Sequence, residues 1–202
     1  MYQNTMPLEL IVAYATFAFV GAATPGPNNF LLLASGIRAG FRRTLPFVFG
    51  ISLGFATLLG LVGTGLGQLF LRFPEAQLAL KVLGTAYFLW LAWKIVTAHV
   101  SRDDDTRPLM GFWTGAAFQY VNPKAWLVCI TAVSLYLPSG SGHEALALLV
   151  VLAIAVGMPA NLAWAGAGQG MRRFIASPVH LRRFNQVMAV LLVLSIIPVW
   201  LA

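Results

Sequence analysis

Charged side chains are scarce in this 202-residue chain, where Asp, Glu, Lys and Arg together make up only 9%. That share is about a third of what is usual in soluble domains. Apolar residues make up 59% of the chain, and the mean hydropathy is +0.80. A soluble domain of this length cannot bury so much apolar surface. The composition therefore predicts an integral membrane protein and disfavours soluble enzymes, nucleic-acid-binding proteins and disordered regulators.

Cysteine and acidic residues are also few, and their positions exclude several kinds of chemistry. Cys129 is the single cysteine, so no intrachain disulfide can form. The six acids are Glu9, Glu75, Glu144 and the run 103–105, and none lies deep in an apolar stretch. A proton relay through a buried carboxylate has no candidate, and no His, Cys and acid cluster is spaced for a metal. No Ser/His/Asp set is placed for hydrolysis either. We expect no metal, no cofactor and no enzymatic activity.

Long apolar runs dominate the chain. A spanning helix needs about 20 apolar residues, and runs of this length without strict alternation favour helices over barrel strands. The first run is expected to be retained, because Met1–Pro7 lacks the basic residues of a signal peptide. We predict an all-α integral membrane protein with six transmembrane helices, in the stretches 8–35, 45–71, 77–98, 111–137, 145–170 and 184–201.

Basic residues predict the orientation in the membrane. Ten Lys and Arg lie in or beside the connections 36–44, 99–110 and 171–183, whereas the opposite side carries only Arg72. By the positive-inside rule, both termini face away from the cytoplasm. The net charge of +7 is thus a topology signal rather than a sign of nucleic-acid binding. The acidic run 103–105 is expected to solvate a cytoplasmic turn, with cation binding as the alternative.

Two ordered matches indicate an internal repeat. Residues 65–73 (GLGQLFLRF) and 166–174 (GAGQGMRRF) agree at five of nine positions, and 27–30 (PNNF) parallels 123–126 (PKAW). Chance similarity between glycine-rich helices is the alternative. With three helices in each half, the second half must be inverted in the membrane, which permits alternating access. The predicted units are a first three-helix repeat at 1–98, a cytoplasmic connecting loop at 99–110 and a second repeat at 111–202.

Proline motifs interrupt the first and fourth apolar stretches. Thr24-Pro25-Gly26-Pro27-Asn28-Asn29 cannot continue a regular helix, because two prolines remove amide donors and clash with preceding carbonyls. The second motif is Gln119-Tyr120-Val121-Asn122-Pro123-Lys124. Pro27 and Pro123 each suit the first turn of a new half-helix, and Asn122 can cap the second one. Freed backbone groups in a membrane are tolerated only beside protein or a water-filled cavity.

Lys124 lies in mid-membrane by this reading, where an unpaired cation costs roughly 3 kcal/mol or more. A functional role is the favoured interpretation, and a lysine that snorkels or bonds the carbonyls freed at 24–27 is the alternative. Two half-helix N-termini and one lysine predict a carboxylate-binding cavity. For Trp164, packing in the core is as good an interpretation as contact with the substrate. The candidate substrate-binding residues are Thr24, Pro25, Gly26, Pro27, Asn28, Asn29, Gln119, Tyr120, Asn122, Pro123, Lys124, Asn161 and Trp164.

Glycine pairs at small-xxx-small spacing predict close helix packing. A homodimer interface is a second use that the sequence leaves open for some of them. The pairs are Gly36/Gly40, Gly50/Gly54, Gly63/Gly67, Gly111/Gly115 and Gly166/Gly170.

Three motifs carry a resemblance to a known family: TPGPN at 24–28, GTAYFLWLAWK at 84–94 and FQYVNPK at 118–124. The chain resembles the LysE/RhtB family of bacterial amino-acid exporters along essentially its whole length. NLAWAGAG at 161–168 is similar to the cysteine/O-acetylserine branch. The family's motif residues carry over to Pro25, Gly26, Pro27, Asn28, Asn122, Pro123 and Lys124.

The resemblance implies export of small amino acids across the bacterial inner membrane, driven by the proton gradient or by the outward substrate gradient. The lack of a deep carboxylate fits neutral substrates. We expect the substrate carboxylate at Lys124 and the amides near Asn28, and its amine at carbonyls near Thr24 and Tyr120. Lys124 is the best titrating group if protons are coupled. An exporter of another solute or ion, a channel and a membrane thiol carrier are the rivals, although a thiol carrier needs two cysteines.

Overall fold

Every regular element in the described part of the chain is a helix, as the sequence predicts. The computed structural model describes residues 6–67, 72–97, 110–138, 141–172, 178–197 and 200. A π-helical turn, Val62–Leu66, continues α3. The helices are α1 (Leu8–Ala23), α2 (Pro27–Ala39), α3 (Phe41–Leu61), α4 (Pro74–Val96), α5 (Phe112–Val121), α6 (Pro123–Tyr136), α7 (His143–Met171) and α8 (Pro178–Leu194).

Three helices of the described chain are long and apolar enough to span a membrane: Phe41–Leu66, Leu78–Val96 and His143–Met171. A fourth candidate span is formed by α1 and α2 together, which are bent by 53° at their break. The stretch 111–137 is divided between α5, of 10 residues, and α6, of 14, each shorter than a span. The six-span count and the inverted repeat therefore stay predictions. Gln68, Arg173, Phe174 and the acidic run 103–105 lie outside the described residues.

Close glycine contacts hold the helices around the two proline breaks. A Cβ on Gly36 of α2 would strike the Ala165 carbonyl of α7, and one on Gly168 would strike the Leu33 carbonyl. On α3, a Cβ at Gly54 would lie 2.6 Å from the Ala116 backbone of α5. Only glycine permits such backbone approaches. The predicted packing role is confirmed at Gly36 and Gly54, whereas a Cβ on Gly111 or Gly170 would meet no described residue within 4 Å.

Two apolar clusters flank the breaks. One joins α2, α3, α4, α5, α7 and α8, and includes Phe47, Phe88 and Leu192. The other joins α1, the end of α3, α6 and α7, and includes Tyr14 and Cys129. The breaks thus lie between two packed regions, where buried polar groups need partners of their own.

Candidate functional site

Both predicted helix breaks are present. α1 ends at Ala23, Thr24 and Gly26 are extended, and α2 begins at Pro27. In the same way α5 ends at Val121, Asn122 is extended with φ −93° and ψ 103°, and α6 begins at Pro123. Because proline has no N–H, it suits a helical first turn and cannot continue the preceding helix.

Side-chain amides join the two breaks directly. Asn28 Nδ2 donates to Gln119 Oε1 at 3.0 Å, and Gln119 Nε2 donates back to Asn28 Oδ1 at 3.1 Å. Asn122 Nδ2 also donates to Asn28 Oδ1, at 3.4 Å. Gln119 and Asn122 are almost fully buried, so these bonds satisfy groups that lipid cannot. The network fixes the start of α2 against the end of α5.

Lys124 bonds the carbonyl groups that the first break leaves without helical partners. Its Nζ donates to Thr24 O at 3.2 Å and to Pro25 O at 3.4 Å. This is the carbonyl-bonded lysine that the sequence left as an alternative to a functional role. An ammonium has three N–H donors, however, and the third has no acceptor among the described residues. One donor of Lys124 therefore stays available to a ligand.

The two half-helix N-termini differ, although the sequence treated them as equivalent. At α6, Asn122 Oδ1 accepts from Lys124 N at 3.1 Å, so this first-turn amide already has a partner. At α2, Gly26 offers no side-chain cap, and the amides of Asn28 and Asn29 have no backbone acceptor in the described chain. Free amides at a helix start attract anions. Of these two starts, only that of α2 keeps free amides among the described residues, and anion binding there stays a prediction.

A cavity of about 90 Å³ lies at the breaks, well above the ~10–15 Å³ that a water molecule needs. It brings together seven of the predicted residues: Gly26, Pro27, Asn28, Asn29, Asn122, Lys124 and Asn161. Thr24, Pro25, Gln119, Tyr120, Pro123 and Trp164 are not on its wall.

Carbonyl groups expected to meet a substrate amine are already in use. Thr24 O accepts from Lys124 Nζ and also from Asn29 Nδ2, the latter at 2.8 Å. Tyr120 O accepts from Trp126 Nε1 at 2.9 Å. Thr24 O therefore has both lone pairs in use, and Tyr120, whose carbonyl keeps one, does not line the cavity. The binding role of these carbonyls stays a prediction.

The other predicted residues off the cavity wall have packing contacts instead. Tyr120 Oη pairs with Thr57 Oγ1 at 2.9 Å. Trp164 packs against the larger core cluster, which supports the core reading of that residue. Pro123 is buried and faces Gly84, where a Cβ would come within 2.5 Å of its ring.

Several cavity residues were missed by the sequence reasoning. Tyr14, Phe17, Phe55 and Met158 add an aromatic and apolar wall, and Ser52 adds a hydroxyl. Ser52 and Tyr14 had a usable signal, since each is a polar group within a long apolar stretch. The other three are apolar residues in apolar stretches, so only their packing identifies them.

No acidic side chain of the described chain approaches this cavity. Glu9, Glu75 and Glu144 lie exposed in the first turns of α1, α4 and α7. Among the described residues no three His, Cys, Asp or Glu side chains are grouped to hold a metal ion. The polar groups of the cavity are a lysine, asparagines, a serine, a tyrosine and free amides.

Apolar helices that surround a cavity at two proline breaks define a helical membrane protein. The LysE type translocator family matches residues 19–196, and the chain belongs to this family. It is therefore a multi-pass inner-membrane protein. No solved structure matches the chain.

Curated relatives cover nearly the whole chain. The cysteine/O-acetylserine efflux protein of Escherichia coli O1:K1 / APEC is 36% identical over 190 residues, 93% of this chain and 96% of the relative. The proteins of the same name from Escherichia coli strain K12 and Shigella sonnei strain Ss046 are 35% identical over 189 residues, with the same coverage.

Proposed function

We propose that this protein exports small neutral amino acids from the cytoplasm, of the cysteine/O-acetylserine or homoserine/threonine type. The relatives named above are cysteine/O-acetylserine efflux proteins. The observation that carries the proposal is the Lys124 ammonium, which lines the same cavity as the uncapped start of α2.

The carboxylate group of the substrate binds at this place. The third N–H of Lys124 and the free amides of Asn28 and Asn29 are donors beside one cavity. Charge-assisted hydrogen bonds to a carboxylate are about twice as strong as neutral ones. The N-terminus of α2 adds a partial positive charge to that of the Lys124 ammonium.

The side chain of the substrate is small and uncharged. A cavity of about 90 Å³ is far below the ~300–1,000 Å³ of sites for drug-sized ligands. Phe17, Phe55 and Met158 give it an apolar wall, and no acid of the described chain is present to pair a cationic side chain. Neutral amino acids therefore fit better than lysine or arginine.

Transport proceeds by alternating access between two inverted halves, 1–98 and 111–202. The tight contacts of Gly36 and Gly168 lie toward the basic connections 36–44 and 171–183. With both termini in the periplasm, that end of the molecule is cytoplasmic. Separation of α2 from α7 at these glycines opens the cavity to the cytoplasm. The proton gradient or the outward substrate gradient drives the cycle.

Counterflow in proteoliposomes tests the proposal. Vesicles are loaded with unlabelled cysteine, O-acetylserine, homoserine, threonine, leucine or lysine, and labelled tracer is added outside. We expect transient accumulation with a small neutral amino acid and its loss in Lys124→Met. Lys94→Met is the matched control, because Lys94 lies exposed at 4.3 Å over the Trp90 ring, off the cavity wall. Full counterflow in Lys124→Met contradicts the binding role, and no accumulation in folded wild type contradicts amino-acid exchange.

A further inference from the structure

Three buried oxygens in the cavity have spare capacity to accept hydrogen bonds. Asn29 uses both N–H bonds of Nδ2, toward Ala22 O at 2.9 Å and Thr24 O at 2.8 Å. Its Oδ1 therefore has a fixed direction, and no donor of the described chain reaches it. Asn161 donates through Nδ2 to Ser52 Oγ at 3.2 Å, and its Oδ1 also has no donor there. Asn29, Asn161 and Ser52 are 4%, 7% and 5% exposed.

The packing of α2 on α7 places two of these residues at one level. Gly36 lies against Ala165 and Gly168, and Gly40 lies near Arg172, so the helices run in the same direction. About seven residues, or two helical turns, nearer the N-terminus of each helix, the same register pairs Asn29 of α2 with the segment 158–161 of α7. Ser52 of α3 joins them through its bond to Asn161. All three line the cavity.

A buried acceptor without a donor is costly, and native proteins leave few of them. Two amide oxygens and a hydroxyl with a spare lone pair match the three N–H donors of a primary ammonium. Thr24 O, in contrast, already accepts two protein donors, and neither Thr24 nor Tyr120 lines the cavity. The missing donors at Asn29 and Asn161 are therefore best supplied by a ligand.

We propose that Asn29 Oδ1, Asn161 Oδ1 and Ser52 Oγ bind the α-ammonium group of the substrate. This inference rests on the proposed function and deepens it. Asn29 then contributes to both ends of an amino acid, its backbone N–H to the carboxylate and its side-chain oxygen to the ammonium. The subsite selects α-amino acids against carboxylates of the same shape that lack the amine.

Paired ligands test this subsite in the counterflow assay. The labelled amino acid that wild type exchanges is competed by its analogue without the amine, 3-mercaptopropionate for cysteine or 3-hydroxybutyrate for threonine. The variants are Ser52→Ala and Asn161→Ala. Ser35→Ala is the matched control, because Ser35 Oγ pairs with Thr44 Oγ1 at 3.2 Å and is off the cavity wall. Melting temperature in detergent reports on folding.

We expect the half-saturation concentration for the amino acid to rise about 10-fold to 100-fold in either cavity variant, since hydrogen bonds to a charged group are lost. Inhibition by the amine-free analogue should stay at the wild-type level. An unchanged half-saturation concentration, or equal weakening for both ligands, overturns the ammonium subsite while wild-type counterflow keeps the proposed function. Absence of wild-type exchange overturns both.

Discussion

The Nζ atom of Lys124 lies 3.2 Å from the carbonyl oxygen of Thr24, although 100 positions separate the two residues. In an uninterrupted helix that carbonyl would accept from the amide four residues on. The Pro-Gly-Pro break removes this partner, and the lysine supplies a donor in its place. One side chain thus stabilises the first break and also provides a cation to the cavity.

Gly26→Ala should separate transport from folding. A Cβ at Gly26 would lie 2.8 Å from Lys124 Nζ, whereas the extended backbone, with φ −174°, accepts alanine without strain. The lysine must move off Thr24 and Pro25, so we expect counterflow to fall by about tenfold or more. The melting temperature in detergent should change little, because the displaced group is the end of a flexible side chain.

Gly142→Ala is the control for this change. Gly142 is also an N-cap glycine, at the start of α7, and a Cβ there would meet nothing within 4 Å in the described part of the chain. Its variant should transport like the wild type. Equal transport in the two variants would show that the position of the Lys124 ammonium does not matter.

The reciprocal amide pair of Asn28 and Gln119 should behave as one unit in unfolding. Either single change to alanine removes two hydrogen bonds from the amide that remains, which is buried in Gln119 and partly buried in Asn28, at a cost of about 1–2 kcal/mol. The double variant should cost less than the sum of the two. Reversible unfolding of all four proteins in detergent measures the coupling. Strict additivity would contradict a direct interaction.

Gly36→Ala should destabilise the packing of α2 on α7. The added methyl group strikes the Ala165 carbonyl, and overpacking of this kind costs about 1–3 kcal/mol. Gly170→Ala is the matched control, since Gly170 is also helical but a Cβ there would meet no described residue within 4 Å. There alanine should be neutral or stabilising by up to about 1 kcal/mol. Melting temperatures in one detergent compare the two, and similar values would argue against the close contact.

Cys129→Ala should leave amino-acid counterflow unchanged. Cys129 has no exposed surface and packs among the apolar residues of α6 and its neighbours. The loss of one sulfur atom should cost on the order of 1 kcal/mol of stability. A transport defect in a variant that folds to the wild-type level would favour the rival thiol-carrier function.

Local rules of the backbone were enough to predict the two breaks. A proline at position 27 or 123 removes a donor wherever it stands, so the sequence predicts a new half-helix at each. Asn122 was predicted as a cap because its side-chain oxygen can accept from a first-turn amide, and its Oδ1 does accept from Lys124 N. Lys124 was selected as a functional candidate because an intramembrane cation is costly anywhere.

The long-range hydrogen-bond partners of the polar groups could not be predicted from the sequence. The missing cap at Gly26 can be read from the sequence, where Asn122 occupies the matching position of the second motif, but the long-range partners of the two breaks cannot. The bonds of Thr24 O join residues far apart in the chain. Ser52 is recognisable in the sequence as a polar residue in an apolar stretch, but only the packing of the helices brings it to Asn161.

Composition and local backbone chemistry therefore determined the membrane environment, the helical class and the places where helices stop, since these depend only on residues near one another in the chain. Tertiary structure alone decided which donors and acceptors remain free in the cavity. That depends on the packing of α2, α3, α6 and α7, and a polar group is available to a ligand only when no neighbour in the fold already satisfies it.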